Sequence, residues 1–127
     1  MTTGTAGRRR DDAGSATELA IVMIGVFGLL TLILLFGVRW LALQAADAAA
    51  TRSLEIAQSV DGTTEDARAV AVTLATSSRV VTGVDVDVTG TTSSVTVAVT
   101  ARTVLGDTVH RAATGPRLRY IPDDTRR

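Results

Sequence analysis

From Leu19 to Val38 the chain runs for 20 residues without a charge, and Thr31 carries the only polar side chain among them. At about 1.5 Å per residue, a helix of this length covers roughly 30 Å, the thickness of a bilayer's hydrocarbon core. A helix packed on one side of a small soluble domain shows polar residues every third or fourth position, and this run does not. It therefore predicts a membrane-spanning helix. A secretory signal peptide is the competing account, but its apolar core has about 7 to 15 residues and a small-x-small cleavage site close behind. The nearest such site here, around Ala46 and Ala48, lies beyond Arg39 and Trp40. The paired arginines at the start also suggest a twin-arginine signal, yet Asp11 and Asp12 follow them at once, which makes a poor match.

The flanks give the orientation. Arg8, Arg9 and Arg10 stand on the N-terminal side against Arg39 alone just past the other end. Excess arginine and lysine marks the cytoplasmic side, so the amino terminus is expected inside and everything after Trp40 outside. Trp40 sits where an aromatic ring prefers the headgroup level, with Arg39 able to snorkel beside it.

Charge and composition exclude whole classes. Acids and bases balance at 13 each, and the arginine triplet is the only basic cluster, so no general nucleic-acid footprint is present. Without cysteine there is no disulfide framework, thiolate chemistry or cysteine-held metal. All the basic residues are arginine, which carries no functional weight.

Beyond the apolar run the periodicity changes twice. In "LALQAADAAATRSLEIAQS", Leu43, Ala46, Ala50, Leu54 and Ala57 recur at helical spacing while Asp47, Arg52 and Glu55 lie elsewhere on the wheel. With no proline from Leu19 to Val60, one helix of about 40 residues, roughly 60 Å, is expected. "VDGTT" breaks it at Gly62, and Thr63 with Asp66 resembles a helix start, a hydroxyl cap followed three residues on by an acid. Ala67, Val70, Ala71, Leu74 and Ala75 then form the apolar face of a second helix ending near Ser78, expected to pack back on the first. From Val80 the spacing becomes two: Val84, Val86 and Val88 form one strand, and Val95, Val97, Val99 and Ala101 another, joined by "GTTSS". A third strand over Thr108 to Ala113 follows the Gly106-Asp107 turn. The fold expected is α+β and membrane-anchored: one long N-terminal helix, transmembrane and then exported, a second amphipathic helix, and a small three-stranded antiparallel sheet. Its divisions are a cytoplasmic basic leader (1–14), a transmembrane segment (15–40), an extracytoplasmic domain (41–122) and a disordered tail (123–127). The domain's apolar side chains are mostly alanine and valine, so each burial contributes little. Shallow alanines also allow close approach to a neighbouring helix, in this chain or another.

No catalytic constellation emerges. His110 is the only histidine and reads as a solvated strand residue; Asp85 and Asp87 read as a polar strand face without a third metal ligand. The serines lack a base at a recognisable spacing, and no phosphate-binding glycine loop occurs. Gly25 and Gly28 in the span are three apart, not the four of the dimer motif. The expectation is a non-enzyme with no cofactor, no metal and no small-molecule substrate.

That leaves Glu18, at the mouth of the apolar run. Ser15 and Glu18 have the S-x-x-E spacing of a capping box, and an acid in the first turn suits the helix dipole. A carboxylate one turn into a membrane helix is expensive unless paired, however, and such residues are functional by default. Residue chemistry alone leaves both readings open.

The stretch "AGSATELAIVMIGVFGLLTLILLF" resembles the start of TadE-like pseudopilins of the tight-adherence (Flp) branch of type IV pilus systems, actinobacterial type. The resemblance covers Arg8 to about Ser59, and the ending "HRAATGPRLRYIP" is similar to the last strand of actinobacterial relatives. It implies a basic leader removed by a prepilin peptidase, a processing site at Ala13, Gly14 and Ser15, and Glu18 as the acid near the start of the mature helix. A cut after Gly14 makes Glu18 the fourth mature residue; the family's usual fifth place requires a cut after Ala13. The partners implied are the lipid membrane, the prepilin peptidase, other pilins or pseudopilins and the inner-membrane assembly platform. The implied role for Glu18 is pairing with a neighbour's amino terminus after the helix leaves the bilayer.

Overall fold

The computed structural model describes the backbone of residues 8–59 and 61–118 and the side chains from Gly14 onward within those ranges. The tail 123–127, the close of the domain at 122, Val60 and the first seven residues of the leader lie outside the described residues. The chain divides into two compact units, Met1–Gly37 and Val38–Arg127, a boundary close to the end of the apolar run. The elements are α1 (Arg8–Gln58), α2 (Thr64–Thr76), β1 (Val81–Gly90), β2 (Ser94–Thr103) and β3 (Thr108–Pro116). This is the expected α+β arrangement of a long apolar helix, a second helix and a three-stranded antiparallel sheet.

In the first unit the apolar run is exposed from Leu19 to Phe36: Leu19, Ile24 and Leu34 are each more than 60% exposed. Thr31, its single hydroxyl, donates to the Phe27 carbonyl at 2.8 Å, so the helix itself satisfies the polar side chain. Among the described residues one helix is long and apolar enough to cross a membrane, with no part of its most apolar window buried.

The second unit is a two-layer sandwich of helices on a sheet. The strands form a meander in the order β1-β2-β3, with Val86 opposite Val99 and Val99 opposite Arg111. Alternation sends Val86, Val95, Val97, Val99 and Val109 into the core and leaves Asp85, Asp87 and His110 exposed. α2 packs on β1 and contributes Ala67, Ala71 and Ala75, one per turn and all fully buried. α1 lies beside β3: Gln58 donates to the Pro116 carbonyl at 2.8 Å, and Arg39 donates to the Asp107 carboxylate. Its core residues are Ala42, Ala46, Ala49, Ala50, Ser53 and Ala57, which share one contiguous cluster with the alanines of α2 and the sheet valines. Side chains this short let helix and sheet backbones approach closely. Buried Ser53 fits among them because its hydroxyl donates to the Ala49 carbonyl at 2.5 Å.

The Thr63 cap is present: its hydroxyl accepts the Asp66 amide at 3.0 Å, with Glu65 and Asp66 in the positive first turn. Three boundaries differ from expectation. α2 stops at Thr76, where Ser77 closes the helix by donating its amide to Thr73 and Leu74 carbonyls. β3 continues past Ala113 because Thr114, Gly115 and Pro116 still face Thr96, Val95 and Ser94 of β2. The proline falls at the strand's end on an edge, where the missing amide costs no ladder bond. α1 begins at Arg8 rather than at Ser15, because nothing from Arg8 to Thr17 breaks a helix and the two aspartates suit its first turns.

Two glycines are required by close approach. A side-chain carbon at Gly62 would overlap the Ile56 backbone carbonyl, which cannot retreat without unwinding the end of α1; at Gly115 it would overlap only the Gln58 amide tip. Gly115→Ala is therefore expected to lose the Gln58–Pro116 hydrogen bond, about 1 kcal/mol. Gly62→Ala is expected to cost more, about 1–3 kcal/mol. Thermal unfolding of the detergent-solubilised chain should place Gly62→Ala below Gly115→Ala. The opposite order would contradict the packing at the α1–α2 turn.

Candidate assembly site at the start of the long helix

Ala13, Gly14, Ser15 and Glu18 all fall within α1, so helical geometry fixes their arrangement. Gly14 and Glu18 are four apart and Ser15 and Glu18 three apart, which puts Gly14, Ser15 and Glu18 along one strip of the helix surface. Gly14, Ser15 and Glu18 are exposed, and a side chain built at Gly14 would meet nothing within 4 Å. The side chain of Ala13 lies outside the described residues. Because the helix starts at Arg8, Ser15 is well inside it in the uncut chain, and its backbone amide is already bonded within the helix. The capping-box assignment of Ser15 is corrected accordingly: in the intact chain it does not start the helix. Removal of residues 1–14 would return Ser15 to the helix end and Glu18 to its first turn.

The electrostatics of this strip follow from its position. Glu18 immediately precedes Leu19, the first residue of the uncovered apolar run, so its carboxylate stands at the boundary between polar and apolar surroundings. A carboxylate there is tolerated while it reaches water; drawn further into an apolar environment it requires a positive partner. The strip offers a positioned acid, a hydroxyl and a glycine on accessible backbone.

Elsewhere, His110 is exposed and its Nδ1 lies 3.1 Å from the Thr100 hydroxyl across the sheet. Asp85 and Asp87 are exposed on β1, opposite Thr100 and Ala98. Sequence reasoning did not foresee a cleft of about 360 Å³ between α1 and β3, lined by Trp40, Leu43, Gln44, Asp47 and Arg111. Nor did it foresee the Arg39–Asp107 ion pair, whose partners are 68 residues apart. Neither has a local signature: both exist only because β3 is laid along α1.

Comparison with known protein families, with characterised proteins and with solved structures finds no match to this chain.

Proposed function

We propose that this chain is a TadE-like minor pilin or pseudopilin, a structural component of a tight-adherence pilus or a related secretion apparatus, and not an enzyme. The observation that carries the reading is an uncovered apolar helix with one acid, Glu18, at its N-terminal mouth and a self-contained α+β unit at its far end. The resemblance of residues 8–59 to TadE-like pseudopilins gives that combination its functional sense.

In this reading the chain is a single-pass membrane protein with its N-terminus in the cytoplasm and its C-terminal domain outside. Its partners are the lipid membrane, a prepilin peptidase, other pilins or pseudopilins and the inner-membrane assembly platform. The peptidase removes the arginine-bearing leader at Ala13, Gly14 and Ser15. Peptide cleavage needs extended backbone at the scissile bond, and glycine lowers helix stability by about 1 kcal/mol, which helps the site unwind. Removal leaves an ammonium at the helix start and takes away the charges that tether it to the cytoplasmic face. In an assembly, the Glu18 carboxylate pairs with the ammonium of a neighbouring subunit in apolar surroundings and fixes axial register.

An uncleaved single-pass anchor whose outer domain binds a partner or senses the envelope is the second reading. The run of α1 without interruption from Arg8 through the processing site favours it.

Intact mass of the membrane-extracted protein separates the two. Pseudopilin processing predicts loss of residues 1–13 or 1–14 and its abolition by Gly14→Phe, a change the open surroundings of Gly14 accommodate. An undiminished mass would leave the anchor reading.

Glu18→Gln tests the pairing. Glutamine supports the same first-turn geometry and removes only the charge. If the carboxylate is a clamp, the variant inserts and is processed normally but fails to co-purify with its pilus or secretion partners. The cost is roughly 3 kcal/mol or more, that of an ammonium left unpaired in an apolar site. Assembly equal to wild type would reduce Glu18 to a helix-start residue.

A further inference from the structure

Beyond the apolar run, six large apolar side chains are exposed among the described residues: Trp40, Leu41, Val72, Val104, Leu105 and Leu118. Four of them gather at one end of the α+β unit. Trp40 and Leu41 follow Arg39, and Arg39 donates to the carboxylate of Asp107, the residue that closes the β2–β3 turn. The tip of that turn is Val104-Leu105, each 51% exposed. Its backbone is held from within: the Thr103 amide donates to the Asp107 carbonyl at 2.8 Å, the Gly106 amide to the Thr103 carbonyl at 3.0 Å, and the Leu105 amide to the Thr103 hydroxyl at 3.3 Å. Two adjacent aliphatic residues are thus displayed on a fixed turn, pinned to the first residue after the apolar run.

Arginines outnumber acids at this end, three to two. The Val104 amide donates to the Val80 carbonyl at 2.9 Å, which brings the exposed Arg79 beside the turn, and exposed Arg102 pairs with Thr108 at its base. Arg39, Arg79 and Arg102 therefore stand around the apolar tip, with Asp107 engaged by Arg39 and Asp85 lining the same surface hollow as Arg102 and Thr108. The acids Asp61, Glu65 and Asp66 belong to the opposite end, where Gly62 and Thr64 meet Gly90 and Val95.

We propose that the β2–β3 turn is a second membrane contact, with Val104 and Leu105 seated in the interfacial layer of the bilayer and Arg79 and Arg102 binding anionic lipid headgroups. The proposal rests on the reading of Leu19–Val38 as the membrane span. The covalent continuity of Arg39 with that span, together with its ion pair to Asp107, puts the turn at headgroup height. Aliphatic residues ringed by arginines suit that layer, where acyl chains and phosphates meet. A domain held at two points stays beside the bilayer instead of swinging on one helix.

The full chain in lipid vesicles tests this. Trp40 is the only tryptophan, so a Trp40→Phe background carrying either Leu105→Trp or Thr92→Trp reports one site at a time. The turn is expected to give blue-shifted emission, quenched by lipids brominated near the headgroup and shielded from acrylamide, with shielding deepened by anionic lipid. Thr92→Trp, in the β1–β2 loop, is expected to behave in the opposite way. Leu105→Trp emission as open to acrylamide as that of Thr92→Trp would overturn the proposal. Bromolipid quenching of Trp40 in the unaltered chain shows which reading has failed. If Trp40 is quenched and the turn is not, the second contact alone is wrong; if Trp40 is not quenched, the span is wrong and the second contact falls with it.

Discussion

The constraint on which the rest of this chain depends is an apolar helix whose side chains from Leu19 to Phe36 are exposed. Leaving side chains such as Ile24, Leu34 and Phe36 in water is unfavourable by about 25 cal/mol for each Å² of apolar surface. The valines and alanines of the second unit bury one another in a core of their own. The remedy lies outside the chain. A bilayer would supply it, and so would a bundle of like helices.

The outer unit solves the complementary problem of holding together with very small side chains. Among the described residues the largest fully buried ones are Val97, Val99, Thr103 and Ser53, and none of them is aromatic. Cohesion comes from number and proximity: alanines once per turn on both helices, and valines alternating on the sheet. Polar ties at the ends of β3 supplement it, from Gln58 to Pro116 and from Arg39 to Asp107. One partner of the second tie, Arg39, is the residue that follows the apolar run.

Features governed by local periodicity were legible in the sequence. The alanine stripe of α1, the alanine face of α2, the Thr63–Asp66 cap and the valine alternation of β1 and β2 follow from spacings of three, four and two residues. Features depending on distant partners were not. The end of β3 is set by Ser94 across the ladder, and the ion pair at Asp107 by a residue 68 positions away. Ser15 illustrates a different failure. Its spacing to Glu18 is that of a capping box, but a cap forms only where the chain before it leaves the helix, and residues 8–14 do not. The same two residues would regain that role only with the preceding residues removed.

The central claim is that the chain crosses a bilayer once, with its basic end in the cytoplasm and its α+β unit outside. The most direct measurement is labelling of single cysteines by a membrane-impermeant thiol reagent on intact cells, in a chain that contains no cysteine of its own. A cysteine at Thr92, in the loop between β1 and β2, should be labelled without lysis, whereas one at Thr5 should be labelled only after the membrane is opened. The reverse pattern would contradict the orientation, and equal labelling of both sites before lysis would contradict the span itself.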